Sequence, residues 1–196
     1  MKFIKHRINK LKDLELLPEG LGAELDLRAA KDSIYIHHDP FSDGDDFEEY
    51  LKLWSQKKRG TLILNTKEDA LEEKVFGLLE KYGVEDFFFL DTAFPTLVKW
   101  VLRKNESRFA VRISEYEDTK VLEHFRGKVD WVWLDSFTGE PARLEVLQQL
   151  KDFKICLVSP ELQAYPVEKI QSFKEALGEH LCAVCTKRPE EWGWQK

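Results

Sequence analysis

The sequence lacks long hydrophobic runs. Its apolar stretches are as short as Phe87-Phe88-Phe89-Leu90, and none approaches the ~18 residues that a transmembrane helix needs. The opening residues, Met1-Lys2-Phe3-Ile4-Lys5, have neither the apolar segment nor the small-residue cleavage site of a signal peptide. We therefore expect a cytoplasmic protein that does not act in a membrane.

Positive charge and cysteine are also scarce. Lys and Arg number 30 against 36 Asp and Glu, and this formal charge of −6 argues against a nucleic-acid binder. Cys182 and Cys185 have the CxxC spacing, but they fall within a predicted strand and point to opposite faces, whereas a redox pair begins a helix. We predict that these two and Cys156 are reduced core residues.

Short runs rich in β-branched and aromatic residues recur along the chain, and most gaps between them have helical periodicity. Helical patterns cover 45–57 and 68–82, and Pro95, Pro141 and Pro166 each open a further one. The predicted strands are 3–6, 22–27, 33–38, 61–66, 86–91, 108–113, 130–135, 154–158 and 181–186.

This alternation predicts a single α/β domain over residues 1–196, with a parallel sheet covered by helices. Only residues 28–32 separate the second run from the third, so these two are predicted to form an antiparallel hairpin. Eight parallel strands then remain, the number in a compact (β/α)₈ TIM barrel. An open doubly wound sheet is the alternative, although no glycine-rich phosphate loop follows the first strand.

Two acidic residues stand out on the second strand. The spacing of Glu24 and Asp26 places both side chains on one face. Neighbouring carboxylates repel each other unless a cation lies between them, and Mg²⁺ or Ca²⁺ suits such oxygen ligands. The alternative is the solvated polar face of an edge strand.

The predicted hairpin is expected to place histidines next to these two carboxylates. A turn centred on Ala30 is expected to bring His37 and His38 beside Glu24, and His6 arrives from the neighbouring strand. Two imidazoles beside a bound cation suit phosphodiester chemistry, because one removes a proton from the nucleophile and the other protonates the leaving oxygen.

Four short motifs resemble the glycerophosphodiester phosphodiesterase family, within the wider group of phosphatidylinositol-phospholipase-C-like barrels. Family members carry His-Arg-Gly, Glu-x-Asp, Thr-Lys-Asp-Gly and His-Asp-Pro in that order. The corresponding residues here are His6-Arg7, Glu24-Leu25-Asp26, Lys31-Asp32 and His38-Asp39-Pro40.

The resemblance implies a role for each motif residue. His6 and His38 become the acid–base pair, Glu24 and Asp26 become metal ligands, and Arg7 contacts the phosphate. The implied cofactor is a divalent metal, either Mg²⁺ or Ca²⁺.

The chain departs from the family pattern in three places. The Glu-Asn-Thr segment that follows His-Arg-Gly in the family is missing here, and Asn9 is its partial substitute. Ile8 replaces the glycine that follows His-Arg. On the next barrel strand, the Glu-x-Lys pair reads Asn65-Thr66-Lys67, so Lys67 fits as a phosphate-binding residue while Asn65 replaces the third acidic ligand. An amide oxygen still binds Mg²⁺ or Ca²⁺ but carries less charge.

The far wall of the predicted barrel has its own candidates. Alternation places Trp131, Trp133 and Asp135 on one strand face, which is either packed interior or a flat wall for a sugar or base, with Asp135 binding hydroxyls. Glu115, just after the fifth barrel strand, is a candidate for the same role.

These features predict a metal-dependent phosphodiesterase that uses His/His acid–base chemistry. Eight units in 196 residues leave little loop length for a lid, and no exposed apolar loop is evident, so we expect a small soluble glycerol or sugar phosphodiester. The alternatives are a non-catalytic barrel that binds a phosphorylated sugar and a lyase that forms a cyclic phosphate. The oligomeric state is not predicted.

Overall fold

The computed structural model describes residues 1–31 and 33–195 of the chain. Its strands lie close to the predicted apolar runs, and the later ones are shorter at their ends. They are β1 (Lys2–Lys5), β2 (Gly22–Ala30), β3 (Ser33–Ile36), β4 (Asp45–Asp46), β5 (Leu62–Thr66), β6 (Phe87–Leu90), β7 (Ala110–Ile113), β8 (Trp131–Leu134), β9 (Lys154–Val158) and β10 (Ala183–Thr186).

The helices follow the predicted periodic stretches but are shorter. Pro95 lies in the first turn of α4, whereas Pro141 and Pro166 lie just before their helices. The helices are α1 (Leu11–Leu16), α2 (Phe47–Trp54), α3 (Glu72–Lys81), α4 (Phe94–Leu97, continued by a π-helix at Val98–Arg103), α5 (Leu144–Leu150) and α6 (Lys169–Leu177). Short 3₁₀ segments occupy Thr119–His124, Pro160–Gln163 and Gly178–His180.

Eight of the strands form a parallel sheet in the order β7-β8-β9-β10-β1-β2-β5-β6. A parallel bridge between Phe89 and Phe109 joins β6 to β7, which brings the two ends of the sheet together. The protein is therefore a (β/α)₈ barrel, as predicted. No helix in the described part of the chain is long and apolar enough to cross a lipid bilayer.

Strand alternation divides the core into two layers. On β2, the outward side chains Ala23, Leu25 and Leu27 are fully buried beneath the helices, while Glu24 and Asp26 point inward. The inner layer is a separate cluster that includes Ile4, Ile63, Phe88, Trp131, Trp133, Cys156 and Cys185.

The predicted hairpin between β2 and β3 is present, but its register differs from the expected one. Ala30 pairs with Ser33 and Arg28 pairs with Tyr35, so the turn is centred beyond Ala30; Asp32, in the turn motif, lies outside the described residues. This shift places His37, and not His38, beside β2, where its backbone N–H donates to Asp26 O at 3.0 Å.

The prediction for the cysteines is confirmed for two of the three. Cys156 and Cys185 are fully buried in the inner layer, where burial raises the pKa of both thiols. Cys182 is exposed, because it lies before β10 and faces away from the barrel interior. All three thiols are free.

A buried tryptophan covers the barrel after β10. Trp192 is 3% exposed and packs into the outer apolar layer, and its Nε1–H donates to Ser159 Oγ at 2.7 Å. The chain segment after β10 thus covers part of the wall that a helix covers elsewhere in the barrel.

Candidate active site

The polar side chains of the site lie at the carboxyl ends of β1, β2 and β5, the end at which (β/α)₈ barrels bind ligands. Glu24 and Asp26 of β2 are 1% and 0% exposed. β2 pairs in parallel with β5, and Asp26 lies opposite Asn65 in that register. Because buried carboxylates need compensation, their partners define the chemistry of the site.

Glu24 is held by two N–H donors. The backbone N–H of Arg7 donates to Oε2 at 2.9 Å, and Asn65 Nδ2 donates to Oε1 at 3.1 Å. His6 Nε2 lies 3.7 Å from Oε2. Burial, and then the neighbouring charge of Asp26, raise the pKa of Glu24 to about 7.

Asp26 is compensated differently, mainly by a cation. Lys67 Nζ lies 3.0 Å from Oδ1, and Arg7 Nε lies 3.9 Å from Oδ2. Asn9 completes the contacts, because its Nδ2 donates to Oδ2 at 2.7 Å and its Oδ1 accepts from the Asp26 backbone N–H at 3.1 Å. The sequence indicated Asn9 as a partial substitute for a missing family segment, but not its contact with Asp26.

His6 is a largely buried imidazole with a low proton affinity. Burial, and then the positive charge of Arg7, lower the pKa of His6 to about 4. Its Nδ1 is buried without a hydrogen-bond partner. The ring therefore presents Nε2 towards Glu24 in a neutral state around pH 7.

His38 lies apart from Glu24, in contrast to the expected juxtaposition. Its Nδ1 lies 2.8 Å from Asp39 Oδ1, and its carbonyl accepts from Arg28 at 2.7 Å. The ring lines a cavity of about 450 Å³ together with Asn9, which contacts Asp26. Asn9 thus lies between this cavity and Asp26, and the catalytic role of His38 stays a prediction.

The predicted metal ligands form an incomplete donor set. No group of three or more His, Cys, Asp or Glu side chains among the described residues is arranged around a metal position. Glu24 and Asp26 supply two carboxylates, and Asn65 Oδ1 is buried with no hydrogen-bond partner. Two carboxylates and a free amide oxygen fit a hard divalent cation, with one negative charge fewer than three carboxylates.

Across the barrel mouth, a second cluster centres on Arg112. Its guanidinium pairs with Asp135 at 2.8 Å and also contacts Asp91. Gln163, which sequence reasoning missed, donates to Asp135 Oδ1 at 2.7 Å. Burial raises the pKa of Asp135. Both oxygens of this carboxylate already accept hydrogen bonds, so its predicted role in binding hydroxyls needs these bonds to rearrange.

The other two residues that were predicted to contact substrate, Trp133 and Glu115, make contacts within the protein. Trp133 is 4% exposed within the inner layer, so its ring forms packed interior and not an open wall. Glu115 accepts from Ser136 Oγ, from Phe137 N and from both the backbone and the hydroxyl of Thr138. Although partial burial opposes it, these bonds lower the pKa of Glu115 to about 2. Glu115 therefore fixes the loop after β8.

Solved structures with the same architecture cover nearly the whole chain. A glycerophosphodiester phosphodiesterase from Agrobacterium tumefaciens aligns with a TM-score of 0.69 at 14% identity, over 98% of each chain. A phosphodiesterase from Oleispira antarctica, in complex with the product sn-glycerol-3-phosphate, gives 0.69 at 16% identity, over 97% of this chain and 94% of that one. The chain has the glycerophosphodiester phosphodiesterase fold.

Further comparisons show that the similarity is one of fold and does not extend to the sequence. A glycerophosphodiester phosphodiesterase from Parabacteroides distasonis aligns at 0.65 and 14% identity, over 97% of this chain and 94% of that one. A tryptophan synthase α-subunit from Pyrococcus furiosus aligns at 0.59 and 14%, over 94% and 86%. Neither a family model nor a curated protein matches the sequence. The glycerophosphodiester phosphodiesterase-like fold is thus shown, while chemistry must be argued from the site.

Proposed function

We propose that this protein is a metal-dependent phosphodiesterase that cleaves a glycerol or sugar phosphodiester. The observation that carries the proposal is the compact group of His6, Arg7, Glu24, Asp26 and Lys67 at the carboxyl ends of three adjacent strands. The group combines buried carboxylates, two cations and an imidazole, which is the set of functions that phosphodiester cleavage requires.

In this mechanism the two cations bind the substrate phosphate. Arg7 is half-exposed and Lys67 keeps part of its side chain accessible, so both can contact phosphate oxygens from the mouth. Arg7 has a φ of 54°, a left-handed conformation that is uncommon for a residue with a side chain. This conformation lets its N–H donate to Glu24 while its guanidinium lies near Asp26.

Glu24, Asp26 and Asn65 would hold the divalent cation. When bound, the cation offsets negative charge on the phosphate. Arg7 and Asn65 orient Glu24 through their N–H groups, and Asn9 fixes Asp26. These contacts preorganise the carboxylates before substrate arrives.

His6 and His38 would act as the acid–base pair. One takes the proton of the attacking hydroxyl or water, and the other donates a proton to the leaving alkoxide. Asp39 orients His38 through Nδ1, which leaves Nε2 free to exchange a proton with substrate. Attack by a substrate hydroxyl would form a cyclic phosphate, and product analysis distinguishes that lyase outcome from hydrolysis.

A second candidate is a phospho-sugar-binding barrel without catalysis. Two observations favour it: Asn65 stands where the resemblance predicts an acid, and Lys67 already neutralises Asp26. Binding that is insensitive to chelator and produces no turnover would support this alternative.

Single replacement of His6 and His38 by alanine tests the proposal, with His180→Ala as the matched control. His180 is exposed in the 3₁₀ turn before β10, at the opposite end of the barrel. We expect turnover of a panel of glycerol and sugar phosphodiesters with Mg²⁺ or Ca²⁺ to fall about 100-fold or more in the first two variants, and to persist in the control. If each single variant kept the activity of the wild type, the assignment of His6 and His38 as the acid–base pair would be wrong.

A further inference from the structure

The inner face of the barrel continues past the ends of β1 and β10. Ile4 and Cys185 are paired in the parallel register, and both side chains belong to the inner layer. His6 and Lys187 each follow two positions later, so alternation directs both side chains towards the interior. The backbone N–H of His6 donates to Thr186 O at 3.0 Å, so the pairing of the two chains extends to this level. Lys187 is therefore the neighbour of His6 on the side away from β2.

A buried hydrogen-bond network fixes the backbone of Lys187. Its N–H donates to Oε1 of Glu161 at 3.0 Å, and the same oxygen accepts from the Thr186 hydroxyl at 2.5 Å. The other Glu161 oxygen accepts from Ser159 Oγ, which in turn accepts from Trp192 Nε1 at 2.7 Å. Thr186, Ser159 and Trp192 are almost completely buried. The residue after β10 is thus held in place through its backbone, and its side chain is left for other contacts.

The Lys187 ammonium forms no ion pair with a carboxylate in the described part of the chain. By contrast, Lys67 pairs with Asp26, and Arg112 also pairs with carboxylates. Burial is the main cause of the low pKa of His6, and the positive charge of Lys187 lowers that pKa further. Because Lys187 is exposed, a charge that acts on His6 is also accessible to a ligand.

Lys187 lies apart from the two cations of the proposed phosphate site. Arg7 Nε and Lys67 Nζ both approach Asp26, at 3.9 and 3.0 Å. Lys187 follows β10, which is separated from β2 by β1. Neighbouring strands lie about 4.8 Å apart, so the backbones of β10 and β2 are roughly 10 Å apart along the wall. A phosphate held at Arg7 and Lys67 therefore leaves the Lys187 ammonium for another group.

We infer that Lys187 binds a second anionic group of the substrate, carried by an alcohol that esterifies the phosphate held at Arg7 and Lys67. This inference rests on the proposed function and narrows its substrate class to phosphodiesters with an additional phosphate or carboxylate. An ammonium is a compact point charge with three donors, so it suits either group.

Apolar side chains are exposed on several loops, contrary to the expectation from the sequence. Phe41, Phe94, Tyr116 and Phe137 are all exposed. The expectation that no apolar loop is exposed is therefore wrong, and it no longer supports the preference for a small soluble substrate. The inferred substrate class depends instead on the charge of Lys187.

Three matched diesters test the inference. The first is glycerophosphoglycerol, whose distal alcohol is uncharged. The second carries a phosphate on the distal glycerol, and in the third the distal glycerol is replaced by glycerate. We expect the kcat/KM of wild type to be at least about tenfold higher for one or both anionic diesters, because a charged hydrogen bond forms with Lys187.

Variants of Lys187 assign this preference. Lys187→Gln removes the charge and is expected to bring the preference close to unity, whereas Lys187→Arg should retain most of it. Lys58→Gln is the matched control, because Lys58 is an exposed lysine in the segment before β5, at the opposite end of the barrel. The control should keep the preference of wild type.

The outcomes separate this inference from the function on which it rests. Turnover of all three diesters by wild type without preference overturns the role of Lys187 and leaves the phosphodiesterase proposal standing. A preference that persists in folded Lys187→Gln protein also overturns it. A preference for only one anionic diester supports the inference and identifies the group that Lys187 binds.

If no diester is turned over, calorimetry with excess Mg²⁺ decides. Tighter binding of glycerol 1,3-bisphosphate than of glycerol 3-phosphate by wild type, lost in Lys187→Gln, supports the second anionic site. Equal affinities, or no binding of either compound, refute it.

Discussion

At the scale of single residues, two adjacent buried carboxylates are stabilised in different ways. Glu24 receives neutral N–H donors from Arg7 and Asn65, whereas Asp26 pairs with the Lys67 ammonium. Burial and the charge of Asp26 raise the pKa of Glu24 to about 7. The negative charge of Glu24 can therefore be neutralised by a proton or by a metal ion. Asn65, which donates to Glu24, is therefore the position at which an added carboxylate would change the charge around Glu24.

Asn65→Glu should strengthen divalent-metal binding. A third carboxylate adds a negative charge to the ligand set, so we expect the affinity for Mg²⁺ or Ca²⁺ to rise by about tenfold. The same change should lower the thermal stability of the metal-free protein, because it adds a like charge beside Glu24 and Asp26. Isothermal titration calorimetry and thermal unfolding with and without metal measure both effects.

The matched control is Asn65→Gln, which has the size of glutamate without its charge. Its metal affinity should stay near that of wild type. An equal gain in both variants would mean that side-chain length, and not charge, limits binding.

Glu115→Gln should reduce stability in a pH-dependent way. Folding lowers the pKa of Glu115 from an ordinary 4.5 to about 2. The contribution of its carboxylate to the free energy of unfolding is therefore complete above pH 4.5 and is lost as the pH falls towards 2. Because the side chain is exposed, we expect a loss of only about 1 kcal/mol at neutral pH. Urea unfolding at several pH values should show the wild-type and variant curves converging in acid.

Glu145→Gln, at an exposed position on α5, is the control for this experiment. Its stability should match that of wild type throughout the pH range. A constant gap between wild type and Glu115→Gln down to pH 2 would assign the effect to something other than the carboxylate charge.

Residue pairs fixed by strand alternation and register were predictable from the sequence. Glu24, Asp26 and Asn65 share the interior because their spacing on β2 and β5 is local information. The position of His38 was not predictable from the sequence, since it depends on the exact turn that follows β2. The burial of Trp133 required knowing which strand face closes inward.

At the scale of elements, all nine predicted strands are present, and the hairpin is antiparallel as expected. Short loops and apolar runs bounded by polar residues specify these elements. The bridge between Phe89 and Phe109, which joins β6 to β7, was not predictable, because it depends on how the last pair of strands meets when the barrel closes. The closure of the barrel thus depends on packing between different parts of the chain.

Trp192→Ala should destabilise the barrel by about 3 kcal/mol, since it removes a buried aromatic side chain and leaves a cavity. Trp192→Phe should cost less, about 1 kcal/mol, because it mainly removes the hydrogen bond to Ser159. Equilibrium urea unfolding measures both losses.

Trp194→Ala is the matched control, because Trp194 is only partly buried against the same layer. Its loss should be clearly smaller than that of Trp192→Ala. Equal losses would show that the whole segment, and not the buried ring, stabilises the wall.

At the scale of the molecule, the architecture alone does not select a reaction. The barrel aligns both with phosphodiesterases and with a tryptophan synthase α-subunit, each at 14–16% identity. Only side chains at the mouth distinguish these chemistries. The proposed activity therefore depends on His6, Arg7, Glu24, Asp26 and Lys67.

β1 lies between β2 and β10, and the backbone N–H of His6 donates to Thr186 O at 3.0 Å. β1 therefore gains its second neighbouring strand only when β10, far later in the sequence, has been made. A nascent chain that has reached only β9 still exposes one edge of β1, and His6 lacks its backbone partner. Activity should consequently appear only after β10 has left the ribosome, so chains stalled earlier in translation are inactive.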